Sequence, residues 1–278
     1  MKSIAKLFLL VFVTATLASG CEILSLSGDR EVQSTLDHSF VQSEVTIIGN
    51  QFDIIAQSAN NLKQTGTIES PFCDCAVIDL SQNAQEQYVV TVDFGQGCVC
   101  VDGRSRSGKL IGVFSDLWDT ENVQLNITTD GYRITNLIGT WFDFTFEKTI
   151  TRQDVATDQP VFNVLVTAAE LTSEKGETIT WSSRRKITLT EGAGDLDPSN
   201  NIYSITGTAS GVARNEVAFD VEITEALILN ATCNIITAGV VVLSPAEKTA
   251  RTIDYGDGAC DKEATVSIGD FTTTISLW

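Results

Sequence analysis

The stretch Val90-Thr91-Val92-Asp93-Phe94-Gly95-Gln96-Gly97-Cys98-Val99-Cys100-Val101-Asp102-Gly103-Arg104 has a shorter echo near the C-terminus, Thr252-Ile253-Asp254-Tyr255-Gly256-Asp257-Gly258-Ala259-Cys260-Asp261. Both read as an apolar residue, Asp, an aromatic, Gly, any residue, Gly, then Cys within two residues. A β-branched run supplies a strand. The glycines let the chain reverse and the Asp carboxylate can accept backbone N–H groups inside the turn. The cysteine ties the turn to a neighbour. A phosphate-cradling loop would need a helix and a lysine directly after it, and the residues after these turns are strand-like. A calcium loop would need Asp-x-Asp-x-Asp-Gly ending in Glu, a spacing that Asp254, Asp257, Asp261 and Glu263 miss. The expectation is therefore a pair of structural turns, with calcium binding by other acidic loops left open.

Outward from these turns the chain is strand after strand. Runs at Tyr88–Val92, Lys109–Phe114, Val123–Thr128, Thr140–Thr151, Phe162–Leu171, Thr178–Thr190, Ala218–Thr224 and Ile235–Leu243 are separated by turn signals such as Asp130-Gly131 and Lys175-Gly176. Short connections without intervening helices imply an antiparallel sheet over 62–278, either a sandwich or a curved open sheet. One helical pattern stands apart, over 31–61. Val41, Val45, Ile48, Phe52, Ile55 and Ala59 recur at spacings of three and four, which predicts an amphipathic helix with one apolar stripe packed on the sheet. Gly49 weakens it. His38, near its start, is expected to be solvated.

The N-terminus reads as an export signal. Lys2 and Lys6 precede the apolar run Leu7–Val13, and Leu17-Ala18-Ser19-Gly20-Cys21 closes residues 1–20 with small residues before a cysteine. This arrangement resembles a bacterial lipobox, with Cys21 as the lipidated first residue of the mature chain and residues 21–30 as a tether. Cleavage of a plain signal peptide is the alternative. No later run is apolar and long enough to span a bilayer. The acyl chains on Cys21, palmitate among them, are then the only membrane contact.

Without Cys21, six cysteines remain, at 73, 75, 98, 100, 233 and 260. An even number in an exported chain implies three disulfides. Side chains two apart on a strand share a face but lie too far apart to bridge. Two antiparallel strands would bring Cys73 opposite Cys100 and Cys75 opposite Cys98, leaving Cys233 to Cys260. A zinc site on the four clustered thiolates is the weaker reading, because Cys-x-Cys is a poorer spacing than Cys-x-x-Cys.

The whole chain carries a formal charge of −18. Removing residues 1–20 takes away two lysines and no acids, giving −18 − 2 = −20 for the mature chain. Such a charge repels nucleic acid. With a single histidine, no Ser-His-Asp set can be built. Acids are so frequent that chance pairs carry no glycosidase signal. Trp118, Trp141, Trp181 and Trp278 could stack on sugars but are expected to pack the sheet. Arg184-Arg185-Lys186 is expected on a solvent-facing strand segment.

The segments DFGQGC (93–98) and DGRSRSGKLIG (102–112), TITWSSRRKITLTEG (178–192) and DYGDGACDKEATVSI (254–268) together resemble a flavobacterial-type lipoprotein family of the Bacteroidota. That family commonly places a basic RKGK segment after DFG-x-G-C; here the segment is Arg104-Ser105-Arg106-Ser107-Gly108-Lys109. The resemblance supports export and envelope localisation and implies no catalytic residue; separately, no cofactor and no metal are expected. The functional expectation is an outer-membrane lipoprotein with a non-catalytic binding or structural role, the periplasmic face slightly favoured. A protein or glycan partner is left open. The alternatives are a carrier holding a hydrophobic ligand between curved sheet and helix, and an envelope hydrolase.

Overall fold

The structure, a computed structural model, describes residues 29–62, 70, 73–193 and 198–277. Residues 1–20 and Cys21, read from sequence as an export signal and a lipidation site, and Trp278 lie outside these residues. Among the described residues one α-helix, α1 (Gln33–Leu62), is followed by fifteen strands in a single antiparallel sheet. The sheet runs from Val77–Gln82 at one edge to Phe271–Ser276 at the other, with neighbours in space nearly always neighbours in sequence.

The sheet has one wet face and one dry face. Along Gln124–Thr135, Leu125 and Ile127 are buried while Asn126 and Thr128 are exposed, the two-residue alternation of a half-buried strand. Asp130-Gly131, read from sequence as a turn signal, is instead a bulge within this strand, past which the inward parity changes and Tyr132 and Ile134 are buried. The aromatic run beginning at Trp141 alternates strictly, with Phe142, Phe144 and Phe146 inward. The expected single strand over Thr140–Thr151 is broken at Phe146 into Trp141–Thr145 and Glu147–Gln153, both paired to Val161–Ser173.

The second layer is α1. It is not laid on the sheet along one stripe; the sheet curves around it. Between Gln33 and Gln57 no helix side chain is exposed: each is buried or half-buried. The apolar stripe is present, with Val41, Val45, Ile48, Phe52 and Ile55 at 0–4% exposure, but Asp37, His38, Gln42, Glu44 and Asp53 are buried as well. A helix with an apolar stripe alone would leave those groups unsatisfied, so the inner face of the sheet must supply partners. Two glycines let the layers approach. A Cβ on Gly112 would lie 2.3 Å from the Phe52 ring, and one on Gly49 would lie 2.2 Å from Lys148 Nζ. Gly49, a weak point for helix propensity, is the place where a lysine tip rests on the helix.

The repeated motif closes turns as expected. Asp93 Oδ1 accepts from Gly95 N at 2.8 Å, and Asp254 Oδ1 accepts from Gly256 N at 2.9 Å. The aromatics between them, Phe94 and Tyr255, are buried inward. The cysteines form Cys73–Cys100, Cys75–Cys98 and Cys233–Cys260 bridges. This is the connectivity read from spacing, reached by a different local geometry. Cys73 and Cys75 sit in a turn that precedes the first strand, and Cys98 begins a two-residue strand paired to Ser105–Phe114. The sulfurs of Cys73, Cys98 and Cys100 lie close together because two bridges are adjacent; bridged sulfurs are not thiolate ligands. No helix among the described residues is long and apolar enough to cross a membrane.

Candidate functional site: the polar lining between helix and sheet

Strand parity decides which polar residues face α1. Arg104 and Arg106 share parity with Leu110 and Phe114, Lys148 with Phe144, Phe146 and Ile150, and Arg185 with Trp181 and Leu189; all are buried. Arg185 therefore corrects the reading of Arg184-Arg185-Lys186 as a solvent-facing segment: its two neighbours are outward and exposed, but Arg185 points in. His38 is corrected too. It is fully buried, accepts from Trp181 Nε1 through Nδ1 at 3.1 Å, and burial first, then the nearby Arg185 charge, push it down to about 3. It stays neutral because the sheet closes over the start of the helix.

The first constellation is an ion network near the middle of α1. Glu44 accepts from Arg104 Nη1 at 3.0 Å, from Arg106 Nε at 3.1 Å and Nη2 at 3.1 Å, and from Tyr132 OH at 2.6 Å. Asp102 takes the outer side of Arg106 at 2.8 and 3.0 Å. Burial alone would lower Arg106, but Glu44, with Tyr132 and Asp102, holds it well above its ordinary value. Tyr132 is raised by burial and then by Glu44. Every charge here has a partner, so the network is a structural clamp; it offers no free group for chemistry.

A second set holds the two ends of the helix. Arg251, with no exposed surface, pairs with Asp29 and Glu31, and Glu31 caps Ser34 N at 2.9 Å near the positive end of the helix. Arg214 pairs with Asp37. Nearer the other end, Asp53 accepts from Trp118 Nε1 at 2.8 Å and Tyr203 OH at 2.9 Å.

The third constellation is incomplete. Lys148 donates to the Val45 carbonyl at 2.8 Å, and among the described residues no carboxylate pairs with it; burial pushes it down to about 7. Arg185 donates Nη2 to Gln42 Oε1 at 2.8 Å, while its Nε and Nη1 have no hydrogen-bond partner. Burial lowers it to about 10. Both side chains line one cavity between α1 and the sheet, of about 60 Å³.

Of the four tryptophans, Trp118 and Trp181 are core, and Trp141 is half-buried under Arg133, whose guanidinium lies 3.7 Å from the ring centre. The inward polar residues carried a sequence signal, their parity with buried aromatics, but a basic residue on a strand is normally read outward. No protein-family model matches the chain, no curated protein sequence matches it, and no solved structure matches its fold.

Proposed function

We propose that the protein is an exported lipoprotein, anchored through acyl chains on Cys21 to the outer membrane at its periplasmic face. Its role there is non-catalytic, binding or structural. The observation that carries the reading is where the exposed apolar residues lie. Strand registers put the turns around 95–104, 136–140, 174–177, 213–217 and 246–250 at one end of the sheet. The helix begins at this end, since Asp29 accepts from Thr249 N and Asp37 from Arg214 N. The same end bears Val99, Val101, Leu137 and Ile138, which are 69–84% exposed. Gly103 brings two of these turns together, its Cβ position falling 2.8 Å from Leu137 Cδ2.

The eight residues from Cys21 to Asp29 reach at most about 28 Å. An anchor at Cys21 therefore holds this end close to the bilayer, where apolar tips gain by partial insertion. Three disulfides support an oxidising compartment. The helix fills the concavity of the sheet, which favours a binding or structural role over the carriage of an acyl chain.

Cell fractionation tests the anchor. Cys21→Ser moves the protein to the soluble fraction, and its retention with membranes in detergent-free buffer would count against lipidation. On vesicles, hydrogen exchange at 136–140 slows while the 154–160 turn at the opposite end is unchanged. Equal behaviour of the two turns would remove the orientation.

A further inference from the structure

The cavity between α1 and the sheet is lined by two buried cations, Lys148 and Arg185. The two cations project from the strands Glu147–Gln153 and Thr178–Glu191, on either side of Val161–Ser173. Lys148 pairs with Val166 and Arg185 with Val164, so they stand two residues apart along the intervening strand, on the same face. The charges lining the cavity are Lys148, Arg185 and Asp53, and Asp53 is already engaged by Trp118 and Tyr203. His38, packed near Arg185, is neutral. The lining is therefore net positive by one charge, while the mature chain as a whole is strongly negative. Other cations that face the helix have carboxylate partners, Arg104 and Arg106 with Glu44, Arg214 with Asp37, Arg251 with Asp29 and Glu31, while Arg152, behind Trp118 and Phe162, donates to Trp118 O and leaves its Nε unpartnered.

Arg185 Nε and Nη1 are buried donors without acceptors, and Asn50 Oδ1, also on the cavity wall, is a buried acceptor without a donor. Buried groups of this kind are normally satisfied by protein, water or a ligand. Arg185 Nε–H and Nη1–H lie on different edges of the guanidinium, each edge completed by a proton of Nη2; Gln42 takes one of these protons, so one edge keeps two N–H groups for an oxyanion. Asn50 Oδ1 complements a protonated oxygen of the same guest. The rest of the wall is apolar or aromatic, Ile150, Val164 and Ile205 beside Trp118, Trp181 and Tyr203 among it.

We propose that this cavity is a binding site for a small oxyanion of the size of a short carboxylate or a phosphate. A water occupies roughly 10–15 Å³ of such space, so a cavity of about 60 Å³ holds four or five heavy atoms and excludes an acyl chain. The site belongs to the folded domain and stands whether or not Cys21 is lipidated.

The test uses the full-length protein in detergent, in a zwitterionic buffer at pH 6.5 and fixed ionic strength. Acetate, phosphate and sulfate are titrated separately, with chloride as the control. At least one of the three raises the thermal midpoint saturably, as mass action requires, and gives a one-to-one isotherm by calorimetry; chloride does neither. Which one does so separates a carboxylate from a phosphate-type guest. Lys148→Met and Arg185→Gln abolish the response. Lys148→Met removes an unpaired buried charge and so keeps the fold, and it carries the test if Arg185→Gln does not fold. No saturable response to any of the three, an equal response to chloride, or an undiminished response in Lys148→Met would overturn the proposal.

Discussion

Replacing Lys148 by methionine stabilises the protein. The Lys148 ammonium is enclosed, has no carboxylate partner among the described residues, and donates to one helix carbonyl, Val45 O. Burial lowers it from 10.5 to about 7. At about 1.4 kcal/mol per pH unit, that fall of 10.5 − 7 corresponds to about 5 kcal/mol lost from the folded state well below pH 7, and to about 4 kcal/mol at pH 7, where half of the folded ammonium has already lost its proton. Methionine fills similar space with a flexible apolar chain and can rest on Gly49 as the lysine does. It cannot donate to Val45 O, which costs about 1–3 kcal/mol if that lone pair goes unsatisfied. The net is a gain of about 1–3 kcal/mol at pH 7.

The pH dependence has a definite sign. The folded value lies below the unfolded one, so between pH 7 and 10.5 the unfolded chain binds more protons and wild-type stability rises with pH. The advantage of Lys148→Met is therefore largest at pH 7 and below, and it shrinks toward pH 9.5. Above pH 10, Tyr132, Tyr203 and Tyr255, each raised by burial, oppose the trend. Urea titrations from pH 6.5 to 9.5, in buffer free of carboxylate and phosphate, read the effect as a shift in midpoint at constant slope. A methionine variant less stable than wild type at pH 7, with wild-type stability flat across this range, would refute the reasoning.

Phe52→Ala removes a ring with no exposed surface that packs on Gly112, and lowers stability by roughly 3–5 kcal/mol; an unchanged thermal midpoint would mean that this face of α1 does not meet the sheet. Glu44→Gln leaves Arg104 and Arg106 facing an amide, which costs about 3–5 kcal/mol, and the urea midpoint falls accordingly. A loss under about 1 kcal/mol would mean that water reaches the network.

How far the chain explains itself differs between its layers. The sheet was legible because its strands alternate: Leu125 and Ile127 against Asn126 and Thr128 is a local pattern that needs no knowledge of the partner layer. The helix was legible as a helix, from Val41 to Ile55, but its environment was not. A single apolar stripe implies a single packing surface, and Glu44, Asp53 and His38 then fall on the assumed solvent side. What reverses that assignment is tertiary: the sheet curls around the whole circumference of α1. Each acid on the helix meets a donor from a strand or turn far away in sequence, as Glu44 meets Tyr132 and Asp37 meets Arg214. The Lys148 and Arg185 cavity was hidden for the same reason. The parity of both residues with buried aromatics was visible, yet only the position of Val45, Gln42 and Asn50 on the enclosed helix makes that parity a site.

The most direct measurement of the central claim is the intact mass of the protein purified from membranes without reduction. An anchored, exported lipoprotein gives residues 21–278 plus the glyceryl and acyl groups on Cys21, less the six hydrogens removed by Cys73–Cys100, Cys75–Cys98 and Cys233–Cys260. A mass that retains residues 1–20, or that shows an unmodified Cys21, or that keeps all six hydrogens, would contradict it.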